Sequence, residues 1–165
     1  MDIELMSPTS LKALRSLLFF TVQDAAQLIA ASPDQPQGVS DLQWQQWEDG
    51  STPVPEYVST RMNELNDWRS MALDATADNI RVQMKEKGGT PESIFVIWYD
   101  SLDDWKSLPN REPVMWRLQQ SVCASLLGMF SIVKLIPFDL VAYSTWLSGR
   151  EDSESLRAEW AGIVQ

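Results

Sequence analysis

A mainly helical chain with a short pair of strands in its second half is what the sequence predicts. Three observations carry that expectation. Apolar residues recur every three or four positions through most of residues 7–85, helix-capping or helix-stopping side chains stand at the ends of those runs, and residues 94–99 and 132–136 are β-branched segments too short for helices.

In order along the chain, the first helix begins at Ser7, which caps it with Pro8 at the first helical position, and runs to about residue 19 on Leu11, Leu14, Leu17 and Leu18. A second follows almost at once, with Thr21 as its cap, Asp24 three residues on, and Ala25, Ala26, Leu28 and Ile29 as its inner face. Residues 31–38 hold two prolines and a glycine, so they form a surface loop. The third helix starts at Ser40 and stops at Gly50, and Thr52-Pro53-Val54-Pro55 enforces an extended turn after it.

A long helix is expected over residues 56–85, with Val58, Met62, Leu65, Trp68, Ala72 and Ala75 spaced by three or four. Its stripe serves either packing within the chain or a dimer seam, and Lys87-Gly88-Gly89-Thr90-Pro91 ends it. Such a rod, about 45 Å long at 1.5 Å per residue, joins two halves of the chain. The expected domains are residues 1–80, a helical bundle, and residues 81–165, a small α+β part that mediates dimerisation or binds a partner. In the latter, strands at 94–99 and 132–136 flank a helix over 112–130, and two short helices over 138–147 and 153–164 follow.

The most informative stretch is residues 38–50. A helix entry, a short amphipathic helix and a glycine stop within about a dozen residues are the pattern of the second helix of a helix-turn-helix. Val39, Trp44 and Trp47 turn inward, while Gln43, Gln45 and Gln46 turn outward and offer amides able to bond bidentately to an adenine edge. The expected DNA-contacting set is Ser40, Asp41, Gln43, Gln45 and Gln46, with the Ser40 hydroxyl near a phosphate.

Composition bounds the alternatives. Histidine is absent and Cys123 is the lone cysteine, which removes the usual general base, the commonest metal ligand and any internal disulfide. Cys123 sits in an apolar helical run and is read as a small buried hydrophobe. Asp100, Asp103 and Asp104 are the best acidic cluster, but without a glycine-shaped loop they read as a helix start. Gly88-Gly89 lacks a phosphate-loop pattern. No catalytic residue, cofactor or metal is expected.

The start, Met1-Asp2-Ile3-Glu4, lacks the basic and apolar regions of a secretion signal, and the most apolar run, residues 121–133, is too short to span a bilayer. A cytoplasmic protein with no membrane partner is expected. The net charge is −10, and residues 1–80 carry four cations against twelve carboxylates. A bundle so acidic must concentrate its cations locally to hold phosphate or bind DNA weakly.

With these residues in hand, the first third resembles the lambda-repressor-like (Cro and Xre-type) helix-turn-helix group. The resemblance rests on Leu14-Arg15, on Thr21 with Asp24 and Ala26, on Gly38-Val39-Ser40 and on Trp47-Glu48-Asp49-Gly50, in that order. The whole chain is similar to the bacterial YdiL-like proteins, through residues 11–15, 44–50 and the later Trp116-Arg117-Leu118-Gln119-Gln120-Ser121-Val122. The resemblance implies a salt bridge between Arg15 and Glu48, structural and not a DNA contact. It also implies a homodimeric transcriptional regulator with DNA as partner.

The chain departs from the group's pattern at Val22, where a glutamine is usual, and at Asp41 and Leu42, where basic or amide residues are common. An insertion at residues 30–37 lengthens the ordinary turn of three or four residues by about eight. It either folds aside or covers the DNA-facing side. The second reading is therefore an interaction module that keeps the fold without binding DNA, using the tryptophan-rich second half: Trp105, Trp116, Trp146 and Trp160.

Overall fold

The computed structural model describes residues 4–86 and 92–163. The sequence features at Met1-Asp2-Ile3, at Lys87-Gly88-Gly89-Thr90-Pro91 and at Val164 lie outside the described residues. The fold is mainly helical with one two-stranded sheet among the described residues, and the chain divides into two compact units, Met1–Met71 and Ala72–Gln165.

In the first unit, α1 (Pro8–Leu17) opens under a Ser7 cap, whose hydroxyl accepts the Ser10 N–H at 3.1 Å. Leu11 and Leu18 are fully buried, whereas Leu17 faces solvent. Thr21 caps α2 (Val22–Asp24) by accepting the Asp24 N–H at 3.0 Å. Instead of continuing as an α-helix, the chain widens into one π-helical turn over Ala25–Ile29, closed by the Ala30 N–H on the Ala25 carbonyl. The cause lies thirteen residues ahead: the Ala26 carbonyl accepts the Val39 N–H at 2.9 Å, so it is committed to the loop before α3. Single π turns of this kind cluster at functional sites.

Gly38 makes that closure possible. Its φ is +78°, and a Cβ there would stand 2.0 Å from the Ala26 carbonyl oxygen and 2.7 Å from the Gln27 Cα. Left-handed backbone costs a non-glycine residue about 1–2 kcal/mol, and collision with backbone, which cannot swing aside, adds to it. Gly38→Ala is expected to cost about 3 kcal/mol in urea unfolding and to speed amide exchange at Val39. An alanine variant of unchanged stability contradicts this account of the loop.

Helix α3 (Asp41–Asp49) and the long α4 (Glu56–Glu86) follow. Val58, Met62 and Leu65 of α4 are buried in the first unit, but Trp68 is exposed and its neighbour Arg69 is buried instead, and the buried hydrophobic positions later in the helix are Ala77 and Ile80. The expected stripe takes two successive steps of three, from Met62 to Leu65 and from Leu65 to Trp68, and a further one from Ala72 to Ala75. At 3.6 residues per turn each step of three turns back by about 60°, which carries Trp68 and Ala75 off the buried face. The boundary between the units falls inside α4, after Met71.

In the second unit, β1 (Ile94–Trp98) pairs in parallel with β2 (Val133–Pro137), Ile94 opposite Val133 and Trp98 opposite Pro137. A parallel pair needs a crossover, supplied by the five-residue α5 (Leu102–Lys106) and by α6 (Met115–Met129). Ser101 caps α5, and Asp103 and Asp104 lie in its first turn, where carboxylates meet the positive end of the helix dipole. Helices α7 (Leu140–Leu147), capped by Asp139, and α8 (Glu154–Ile163) complete the unit.

Two cores hold this unit. One is aromatic, built from Tyr99, Trp105, Trp116, Phe138, Tyr143 and Trp160; the other packs Ala77, Ile80, Val122, Leu126 and Val133. Trp105, Trp116 and Trp160 are therefore core residues, and only Trp146 of the tryptophans considered as an interaction surface is half-exposed. Their indole N–H groups show why burial is tolerated: Trp105 donates to the Glu112 carbonyl at 2.9 Å and Trp116 to the Tyr99 carbonyl at 2.8 Å. Cys123 is buried too, and burial pushes its thiol up to about 12, so it stays protonated.

Candidate nucleic-acid interface

Helix α3 is defined at both ends by short-range chemistry. The Ser40 hydroxyl accepts the Gln43 N–H at 3.1 Å, Asp41 stands in the first turn, and Gly50 takes the left-handed conformation at φ +83°. Its inner side is two indoles, Trp44 fully buried and Trp47 nearly so, in edge-to-face contact with centroids 5.5 Å apart. A buried indole needs a partner for its N–H, and Trp44 donates to Glu48 Oε1 at 2.9 Å.

The same carboxylate meets Arg15 of α1. The guanidinium Nε donates to Oε1, Nη2 donates to Oε2 at 3.1 Å, and Nη1 donates to the Phe20 carbonyl at 2.9 Å. Both side chains are mostly buried, at 13% and 8% exposure, so this fork ties α1, the turn before α2, and α3 into one body. Arg15 and Glu48 are thereby turned inward, away from the exposed side of α3.

That exposed side carries Leu42, Gln45, Gln46 and Asp49, spaced i, i+3, i+4 and i+7, with Asp41 at its edge. Asp41, Leu42, Gln45 and Asp49 are exposed and Gln46 is half-buried; neither Gln45 nor Gln46 makes a side-chain hydrogen bond among the described residues. Hydrogen bonds from the Ser51 hydroxyl and backbone hold the Asp49 carboxyl below its ordinary range, so it stays charged.

Ser40 and Gln43 are engaged differently. The Ser40 hydroxyl is exposed but serves as the cap, and the Gln43 side chain is half-buried, its Nε2 donating to Thr52 Oγ1 at 3.2 Å. A third contact explains this: the Thr52 N–H bonds the Gln46 carbonyl at 3.1 Å, which brings Thr52 back against the helix. Helical spacing alone does not reveal that partner. Leu42 and Asp49, by contrast, are recoverable from spacing, since they fall at the centre of the face opposite the two tryptophans.

The inserted loop lies beside α3. Ser32 and Gln35 close a turn on each other, Tyr57 donates to the Ala30 carbonyl at 3.2 Å and Arg61 to the Ala31 carbonyl at 3.1 Å. Between this loop and the starts of α3 and α4 is an open groove of about 440 Å³, lined in part by Gln35, Ser40, Gln43 and Tyr57. The loop thus flanks Ser40 and Gln43 while Asp41, Leu42 and Gln45 remain open to solvent.

The chain belongs to the Aca2/YdiL-like family, whose model matches residues 6–131. Its relatives include the Aca2 repressor of Pectobacterium phage ZF40, 32% identical over 120 residues, which cover 72% of this chain and 90% of the relative. Membership at that coverage supports a regulatory role at the level of the family. No helix among the described residues is long and apolar enough to cross a membrane.

Proposed function

We propose that this chain is a sequence-specific DNA-binding transcriptional regulator whose helix-turn-helix, of the lambda-repressor-like kind, consists of α2 with its π-helical turn and α3. The observation that carries this reading is the division of α3 into a face locked by Trp44, Trp47 and the Arg15–Glu48 fork and an opposite face offering unbonded amides. Fixed backbone and available amides are what direct readout of base edges requires. A relative named a repressor agrees with it.

Within the contact set Ser40, Asp41, Gln43, Gln45 and Gln46, the exposure of Gln45 and the unbonded amide of Gln46 make these two the base readers. Gln43, held by Thr52, sets the edge of the groove instead. Asp41 suits the exocyclic amine of cytosine, which donates to a carboxylate. The protein acts as a homodimer on two half-sites about 34 Å apart, one turn of the duplex, and resides in the cytoplasm.

Selection from a randomised duplex library at low salt tests this. Low salt matters because the first 80 residues carry few cations, so phosphate neutralisation contributes little affinity. The expected result is a two-fold related motif containing adenine, with the Gln45→Ala/Gln46→Ala variant losing about tenfold or more in preference for it, as for loss of a bidentate pair. Absence of any enriched motif, with no binding at the lowest salt, contradicts the proposal and favours the interaction module.

A further inference from the structure

Leu42 stands out on the face just described. It is 63% exposed, in the first turn of α3, and lies between Gln45 and Gln46 around the helix, so it occupies the middle of an otherwise polar surface. Isolated exposed leucines are ordinary, but one placed at the centre of the only side of α3 turned away from the two tryptophans has a defined neighbourhood. Whatever the amides meet, Leu42 meets as well.

In a major groove, the single apolar group on a base edge is the 5-methyl of thymine. Resting on the DNA-binding reading above, we infer that Leu42 is a specificity-determining residue that packs on a thymine methyl beside the adenine read by Gln45 or Gln46. The recognition helix of a helix-turn-helix presents its first turns to the bases, which is where Leu42 sits.

The spacing is compatible with this pairing. Leu42 precedes Gln45 and Gln46 by about 4.5 and 6 Å along the helix axis, at 1.5 Å per residue. Successive bases on one strand are about 3.4 Å apart. A helix lying along the groove therefore sets the leucine and either amide on base pairs one or two steps apart. The half-site contains thymine and adenine at that separation, and the leucine disfavours cytosine there by presenting no acceptor for its amine.

The test uses the duplex recovered by selection, with each thymine replaced in turn by deoxyuridine, which removes the methyl and keeps the pairing. Full-length wild type and Leu42→Ala are titrated at the same low salt; the exposed position makes the variant a surface change that leaves the core intact. Wild type is expected to lose about three- to fivefold in affinity at one thymine per half-site, the scale of one buried methyl group. Leu42→Ala is expected to bind the thymine duplex more weakly by a similar factor and to be indifferent to uracil at that position. Selective binding by a wild type indifferent to uracil everywhere, or a variant as sensitive as wild type, overturns the assignment of Leu42 alone. Absence of selective binding to any duplex overturns the DNA-binding reading itself.

Discussion

Replacing Glu48 with alanine is expected to destabilise the amino-terminal unit by about 3–5 kcal/mol, the cost of leaving a buried ionic partner uncompensated. The size follows from what the carboxylate serves. It accepts from Nε and Nη2 of the Arg15 guanidinium and from the Trp44 indole N–H, and alanine removes both acceptor oxygens and so all three bonds at once. Arg15, only 13% exposed, then keeps a single hydrogen bond to the Phe20 carbonyl, and the N–H of a fully buried tryptophan is left without an acceptor. Glu48→Gln keeps the shape and one acceptor but loses the charge, so it is expected to fall between wild type and alanine. Hydrogen exchange of the α1 and α3 amides reads this locally; exchange in both helices as slow as in wild type contradicts the role given to the fork.

A comparable loss, about 3 kcal/mol or more, is expected for Asp152→Ala in the second unit, because it strands Arg157. Arg157 is fully buried. Its guanidinium donates to Asp152 at 2.6 Å, to the Ser107 hydroxyl at 3.1 Å and to Tyr99 Oη at 3.4 Å, and lies over the Phe138 ring at 4.6 Å. The Tyr143 hydroxyl donates to the same carboxylate. Burial disfavours the charge on Asp152, but the hydrogen bonds from Arg157 and Tyr143 and the charge of Arg157 outweigh it and hold the carboxyl below its ordinary range.

The sign of the pH dependence follows. A carboxyl whose folded pKa is depressed contributes stability that is fully present above its unfolded value, about 3.9, and that is lost as pH falls through the lower folded value. At the alkaline end, burial first and Asp152 second push the Tyr143 phenol up to about 12. Its contribution is fully present below its unfolded value of about 10 and is lost as pH rises through the raised one. Urea unfolding of wild type and Asp152→Asn across the acid range checks the first half. Equal acid sensitivity in both contradicts the linkage assigned to Asp152.

What the sequence disclosed and what it hid divide along physical lines. The caps at Ser7, Thr21 and Ser40, the glycine stop at Gly50 and the two strands depend on residues a few positions apart, so reading along the chain suffices for them. The π turn at Ala25–Ile29 depends on Val39 claiming a carbonyl, a contact made only once the loop has closed. Periodicity foretells that α3 has an amide-bearing side, but not that Thr52 holds Gln43, because the turn after Gly50 folds back in three dimensions. The Asp152–Arg157–Tyr143 cluster gave no local signal at all: its charged members are ordinary surface types until Tyr99, Ser107 and Phe138 enclose them.

The central claim is that the unbonded amides of Gln45 and Gln46 read base edges in a major groove, and substitution of 7-deazaadenine for adenine in the selected duplex tests it most directly. That base keeps its pairing but lacks the N7 acceptor a glutamine amide engages. The account predicts weaker binding by wild type at one or two adenines in each half-site, and no such weakening for Gln45→Ala/Gln46→Ala. Wild type that tolerates the deaza base at every position, or a double variant that responds as wild type does, contradicts it.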